Sequence, residues 1–258
     1  MLKFKVVNAI TGLLVFGSLI GYLWYEFPVW PITIILLIWL LLTMAGSAFI
    51  GWNYHFNSLN SNPRIKENHV AITFDDGPNP EFTSQVLELL AKFNCKATFF
   101  CIGKQIEAHP ELFQTILENG HTIGNHTYSH SNSYGLLSAK KVLSDIQKNN
   151  QIIKEQTGLV PLLFRPAFGV TNPRIKKAIK TIGMRSIGWN KRSFDTTNLD
   201  EKSILARITK NLKSGDVILL HDTSAKTVRV LEQLLLFLQQ QNKVSVTVDT
   251  LFNIKAYA

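Results

Sequence analysis

Apolar positions fall into two regimes along the chain. Residues 6–25 and 27–63 contain no Lys, Arg, Asp or Glu, and the runs at about 6–25 and 31–50 are almost continuously apolar. Each is close to the ~20 residues that a helix needs to cross a bilayer. Trp24, Tyr25, Trp30, Trp52 and Tyr54 sit at their ends, where an aromatic belt would lie. Two blocks split by Glu26-Phe27-Pro28 are too long for a signal sequence, whose apolar core spans only ~7–15 residues. The pattern therefore predicts a membrane anchor over residues 1–56, a hairpin of two transmembrane helices, and an Asn/Ser-rich linker over 57–67. Lys3, Lys5, Arg64 and Lys66 flank the spans and Glu26 is the one charge between them. By the positive-inside rule both termini, and the domain after them, face the cytoplasm. The expected location is a bacterial cytoplasmic membrane, with the side occupied by the domain left open by so small a bias.

From residue 68 to 258 short β-rich runs (70–74, 97–102, 121–124, 162–164, 185–189, 217–221 and 244–248) alternate with amphipathic stretches (82–93, 111–118, 139–155, 173–182, 202–212 and 227–240). Such alternation predicts an α/β domain with a parallel sheet and crossover helices. So many units in so short a chain suit a barrel better than an open sheet. The stripe Leu231, Leu234, Leu235, Leu238 reads as helix core, and Trp189 as core.

Charge and cysteines narrow the partners. The chain carries 27 Lys/Arg and 18 Asp/Glu; four of the former and two of the latter precede residue 68, which leaves the domain at +7. A basic domain at a membrane is drawn to anionic lipids or glycans. Its basic residues are scattered without an aromatic–basic stripe, so nucleic acid is not an expected partner, and no obligate protein partner is indicated. Cys95 and Cys101 bracket a predicted strand, which holds them beyond disulfide reach.

The candidate chemistry lies at strand ends. Thr73-Phe74-Asp75-Asp76-Gly77-Pro78 closes the first β-rich run, and His126 and His130 follow the third. Arg165 follows the fourth, Asp195 the fifth and His221 ends the sixth. Asp-Gly-Pro alone is ordinary turn chemistry, and a lone histidine pair is more often a surface feature. Their recurrence after successive strands is the stronger signal, because the C-terminal strand ends of an α/β barrel converge on one face. One aspartate with two histidines suits a divalent metal, and a second aspartate beside it could act as a base.

In these motifs the chain resembles the polysaccharide deacetylase family (NodB homology, carbohydrate esterase family 4), from about residue 68 to the C-terminus. Thr73–Pro78 matches the first family motif without change, His126-Thr-Tyr-Ser-His130 the second, and Leu219-Leu-His221 the fifth. Arg165-Pro-Ala-Phe-Gly169 resembles the third, with Ala167 and Phe168 departing from the usual residues. Asp195 resembles the fourth, with Thr196 where tryptophan is usual.

The resemblance implies a distorted (β/α) barrel of the NodB type that removes N-acetyl or other acyl groups from N-acetylhexosamine glycans such as peptidoglycan or chitin-like oligomers. It also implies that Asp76, His126 and His130 ligate a divalent metal, Zn2+ foremost with Co2+ or Ni2+ as alternatives. Asp75 would be the general base and His221 the general acid. Arg165 would orient Asp75, Asp195 would hold His221, the Phe168 N–H would bind the oxyanion, and Leu219 would contact substrate. Two alternatives stay open: a cytoplasmic-face deacylase of a lipid-linked amino sugar, and a degenerate carbohydrate-binding domain.

Overall fold

The computed structural model describes residues 2–258. The chain begins with a helical hairpin, α1 (Phe4–Tyr25) and α2 (Trp30–Ala48). Glu26 ends α1 in the left-handed region and Pro31 starts α2 in its first turn, where a missing N–H costs nothing. Trp39 Nε1 donates to Asn8 Oδ1 between the helices at 2.8 Å. The outward residues, among them Leu13 and Phe16, are exposed and have no protein cover among the described residues.

The remaining elements are β1 (Ser58–Leu59), β2 (His69–Asp75), α3 (Thr83–Lys92), β3 (Ala97–Cys101), α4 (Gly103–Ala108), α5 (Pro110–Glu118) and β4 (Thr122–Asn125). They continue with α6 (Ala139–Thr157), β5 (Leu163–Phe164), α7 (Pro173–Thr181), β6 (Arg185–Ile187), β7 (Lys191–Arg192), α8 (Glu201–Thr209), β8 (Val217–His221), α9 (Ala225–Gln240), β9 (Val244–Ser245) and α10 (Val248–Phe252). The strands form one parallel sheet in the order β1-β6-β5-β4-β3-β2-β8-β7, with β9 added beside β2. The predicted strand at 185–189 is broken: β6 pairs with β5, and after Trp189 the same segment resumes as β7 against β8. One stretch of chain thus touches both ends of the sheet and curls it.

Alternation along β2 decides what the sheet does. Val70, Ile72 and Phe74 point into a large core with α3 and α9, whose Leu231, Leu234, Leu235 and Leu238 stripe packs there. Ala71 joins the inner cluster with Phe100, Trp189 and Leu219. By the two-residue period Thr73 and Asp75 share that inner side. Side chains accept from the first-turn N–H groups of four helices: Ser138 on α6, Asn172 on α7, Asp200 on α8 and Ser224 on α9. These caps match the boundaries expected for α6 and α7, and fix α8 and α9 within two residues of expectation.

Residues 57–67 are more than a linker. Ser58 and Leu59 pair with Ser186 and Ile187, and the Ser58 and Ser186 hydroxyls share a 2.8 Å hydrogen bond. Asn62 N–H donates to Gly215 O at 2.8 Å, and Asn62 Nδ2 donates to Leu251 O at 2.7 Å. The Asn and Ser residues that read as linker composition are here hydrogen-bonding groups that fasten the segment to the sheet. The run expected as a strand at 244–248 is also shorter, since Thr247 turns the chain into α10. At roughly 0.5–1.5 kcal/mol for each hydrogen bond, a chain beginning at Asn68 should lose about 2–6 kcal/mol against one beginning at Asn57. Paired denaturant melts of the two measure this.

Candidate metal and acid–base site

The site is built on two neighbouring strands. In the β2–β8 register Asp75 stands opposite His221, each the last residue of its strand. Asp75 is buried, and its Oδ1 accepts from Arg165 Nη1 at 2.7 Å. Arg165 comes from the loop after β5 and is completely buried. It also donates to Thr73 Oγ1 (2.8 Å), Ile187 O (3.2 Å) and Gly188 O (3.0 Å). Its guanidinium carbon lies 4.1 Å from the Phe100 ring centroid and 5.4 Å from that of Trp189. A planar cation that donates four hydrogen bonds to fixed partners holds the carboxylate it binds in place.

Across the strand pair, His221 Nδ1 lies 2.8 Å from Asp195 Oδ1, while Asp195 Oδ2 accepts from the His221 N–H (2.8 Å) and Thr227 Oγ1 (3.0 Å). Ser193 Oγ donates to Asp195 Oδ1 at 2.7 Å. Burial pulls the His221 pKa down, but the Asp195 hydrogen bond and charge, with Asp75 and Asp76, outweigh it and push it up to about 9. Burial would raise the Asp195 pKa, yet the hydrogen bonds from His221 and Ser193 hold it below the usual carboxylate value. Both shifts favour the imidazolium–carboxylate form of the pair.

Asp76 follows in a different conformation, at φ 76°. Its Oδ1 lies 3.4 Å from His126 Nε2 and 3.3 Å from His130 Nε2. That oxygen is buried and has no hydrogen-bond partner. His126 Nδ1 is 2.9 Å from the Arg165 carbonyl, so an N–H there donates to it and leaves the Nε2 lone pair free to ligate. The three ligand atoms lie within 4.8 Å of one another. An orphaned carboxylate oxygen facing two imidazole nitrogens is a donor set that fits a divalent cation of the zinc type. Burial lowers the His126 pKa, but Asp75 and Asp76 reverse the shift upward, whereas burial and His126 hold His130 down.

The histidine loop is not helical despite its i, i+4 spacing: Thr127 and His130 both have positive φ (69° and 45°). Phe168 and Phe194 do as well (58° and 60°). Conformations of this kind cost roughly 1–3 kcal/mol each and persist only where neighbours impose them. At the histidine loop α6 imposes them. Asp145 accepts from the Tyr128 and Ser129 N–H groups (2.9 and 3.2 Å), and Asn149 Nδ2 donates to Thr127 O and Cys101 O (2.8 and 3.0 Å). Asn125 Oδ1 takes the Thr127 N–H at 2.7 Å. The sequence reading missed these three. Their signal was an Asp and an Asn four apart on a helix whose other inward positions, Val142, Ile146 and Ile153, are apolar.

A cavity of about 420 Å³ opens above the site, lined by Asp75, Asp76, His126, His130, Phe168, Leu219 and His221 among others. Arg165 and Asp195 lie behind it as supports. Trp189, expected in the core, also forms part of this wall with Phe194 and Thr196. Asp222 lies fully buried under the first motif rather than capping the helix that follows it. Thr83 Oγ1 donates to it, a Cβ on Gly77 would collide with it, and burial pushes its pKa up to about 7. The cap of α9 is Ser224.

Carboxylates and imidazoles gathered at the C-terminal ends of a curled parallel sheet are an arrangement suited to hydrolytic chemistry with a divalent cation. Comparison with known proteins agrees. The family model described as polysaccharide deacetylase matches residues 62–187. A peptidoglycan-N-acetylglucosamine deacetylase of Bacillus cereus is 40% identical over 197 residues, which cover 73% of this chain and 90% of that protein. The chain belongs to the polysaccharide deacetylase family, hydrolases of amide bonds. Among solved structures, the Bc1960 peptidoglycan N-acetylglucosamine deacetylase superposes with TM-score 0.71 at 30% identity, covering 77% of this chain and 94% of that one. A family 4 pseudoenzyme, BA3943 from Bacillus anthracis, superposes with TM-score 0.67 at 25% identity over 72% of this chain and 66% of that one. The fold alone therefore does not decide catalysis.

Removing one member of a buried ion pair strands the other charge, at about 3–5 kcal/mol. Arg165→Met should cost this much, and Arg165→Met with Asp75→Asn should recover a large part of it. A double-mutant cycle on unfolding free energies tests the pairing.

Proposed function

We propose that this chain is a membrane-held N-deacylase of glycans that contain N-acetylhexosamine, the chemistry of peptidoglycan and chitin-like oligomers. The observation that carries the reading is the register of Asp75 against His221, with the Asp76, His126 and His130 donors beside them. The reading is supported by a carboxylate and an imidazole, each with its own charged partner, facing one cavity.

Asp76, His126 and His130 would hold the divalent metal, Zn2+ foremost. Bound there, a cation of this kind polarises an acyl carbonyl and acidifies water. The rest follows from the chain's own groups. Asp75 takes the proton of the attacking water, its lone pairs aimed by the Arg165 fork. The water oxygen bonds to the acyl carbon, and the developing oxyanion meets the N–H of Phe168 in the wall. As the C–N bond breaks, His221 gives its proton to the departing nitrogen, and a carboxylic acid and a free amine leave. Asp195 keeps that proton on His221 until it is needed. Trp189, Phe194 and Leu219 exclude water from the acyl side.

We also read α1 and α2 as a transmembrane hairpin. Their lengths fit a bilayer, and only lipid would cover side chains such as Leu13 and Phe16. The start of α1 is fastened to the segment that follows α2: Phe4 N–H donates to Tyr54 O at 3.0 Å, and Lys3 Nζ to Asn53 O at 2.9 Å.

Three outcomes are expected. Asp75→Asn should slow acetate release from an N-acetylglucosamine oligomer by about 10²–10⁴-fold with metal content unchanged. His126→Ala or His130→Ala should remove both bound metal, measured by elemental analysis, and acetate release; chelator should do the same to the unmutated protein, reversed by Zn2+. Asp195→Asn removes the charge that raises the His221 pKa, so the alkaline limb of the kcat profile, where His221 loses its proton, should move to lower pH.

A further inference from the structure

Beside the candidate site lies a larger cavity of about 650 Å³ that the deacylation chemistry does not use. Trp189, Arg192 and Phe194 line both, so the two cavities are neighbours that share one wall. Its far side is the end of α2 and the turn that follows, Ala48 to Trp52. Phe49 and Trp52 stack there at 5.4 Å between ring centroids, both substantially exposed. Trp52 in turn borders a third, apolar slot of about 230 Å³ formed with Leu2, Leu42 and Tyr54 at the base of the hairpin. The three spaces lie in succession between the acid–base site and the helices, each sharing lining residues with the next.

Arg192 and Arg207 stand in the middle of this succession. Their guanidinium carbons lie 4.5 and 4.4 Å from the centroid of the Phe194 ring. Arg207 Nε donates to Arg192 O at 2.9 Å, which ties α8 to β7. Neither makes an ion pair with a carboxylate among the described residues. Burial and the neighbouring Arg207 charge lower the Arg192 pKa against the opposite pull of Asp75 in the adjoining cavity. Two like charges on one ring, facing a cavity with no anion from the chain, repel each other until an anion arrives. Guanidinium forks match phosphate oxygens in charge and geometry.

We propose that the Arg192–Arg207 pair is a phosphate subsite, and that the substrate is a lipid-linked amino sugar. The acylated sugar would lie in the Asp75–His221 cavity, its phosphate or diphosphate on the arginines, and its hydrocarbon chain past Trp52 toward the slot between Leu2 and Leu42. The order of chemistry across the three spaces, polar then cationic then apolar, is the order of groups in such a molecule. A free polymer has no use for the last two. The inference rests on the deacylase reading for the identity of the sugar, but the subsite stands on binding.

The test uses the full chain in zwitterionic phosphatidylcholine nanodiscs, with equilibrium binding of polyprenyl-diphosphate-linked N-acetylglucosamine as its readout. The unmutated chain should bind it at least tenfold tighter than an uncharged chitin oligomer. Arg192→Gln with Arg207→Gln should lose that margin, and Arg192→Lys with Arg207→Lys should keep most of it. An unchanged margin in the Gln variant would overturn the proposal. So would equal loss for the chitin oligomer, which would make the cavity a polymer subsite. Competition by inorganic pyrophosphate as tight as the lipid-linked sugar would reduce it to a free-anion site, and equal binding to phosphatidylglycerol nanodiscs to a general lipid surface; either result also overturns it. Tight, arginine-dependent binding without acetate release would support the subsite and sink the deacylase reading instead.

Discussion

A completely buried arginine is the constraint around which this domain is arranged. Burying an unpaired guanidinium would cost several kcal/mol, so the fold must bring it an anion and acceptors. Arg165 receives the Asp75 carboxylate, the Thr73 hydroxyl and two carbonyls from the break between β6 and β7. These partners come from two stretches of chain more than a hundred residues apart, and Phe100 and Trp189 supply the rings around it. Curling the sheet is what brings them together. The Arg165 carbonyl then fixes His126 through Nδ1. One residue thereby orients the candidate base by its side chain and a candidate metal ligand by its backbone.

Two consecutive aspartates acquire different roles from backbone geometry alone. Asp75 is still in the strand, on the inner face set by the two-residue period, and meets the arginine. Asp76 has left the strand at positive φ and turns its carboxylate to the histidines. Its pKa moves far below the ordinary value; burial alone would raise it, and the nearby imidazoles of His126, His221 and His130 prevail. An anion held ionised with an unshared oxygen is prepared for a cation. The left-handed residues around it are stabilised from outside, by Asp145 and Asn149 on α6, so α6 is part of the site without touching the cavity.

Much of this was legible in the sequence because it is local. The strand ends, the five motif positions and most helix boundaries come from periodicity, capping residues and motif spacing, all read within short windows. What escaped is what depends on partners far away in the chain. The Ser58–Asn62 segment reads as linker because Asn and Ser are turn residues, and nothing nearby shows that Ser186 and Gly215 will meet it. The break at Trp189 was hidden because 185–189 is β-rich throughout. Asp222 next to a helix start reads as a cap, and only the fold places Gly77 and Thr83 against it. Phe194 carries no motif, yet its ring becomes the platform for two arginines.

The end of the hairpin is also bound into the domain. Thr171 N–H donates to Ser47 O at 2.9 Å and its hydroxyl to Gly46 O at 3.1 Å, both carbonyls from the last turn of α2. Ser47 Oγ lies 2.9 Å from His55 Nε2. Gly46 is needed there because a Cβ would enter the Tyr54 ring. Thr171 follows by three residues the left-handed Phe168 that lies against His130, ring centroids 4.5 Å apart. A helix terminus leaves its last carbonyls without intrahelical partners, and here the loop of the third motif supplies them. The groups that finish α2 thus set the position of the loop that walls the site. Displacing the hairpin from the domain would uncover the helix end and slacken that wall together. The apolar helices and the acid–base cavity are on this account one mechanical unit, and the orientation of the cavity relative to the hairpin follows from hydrogen bonds rather than from a tether.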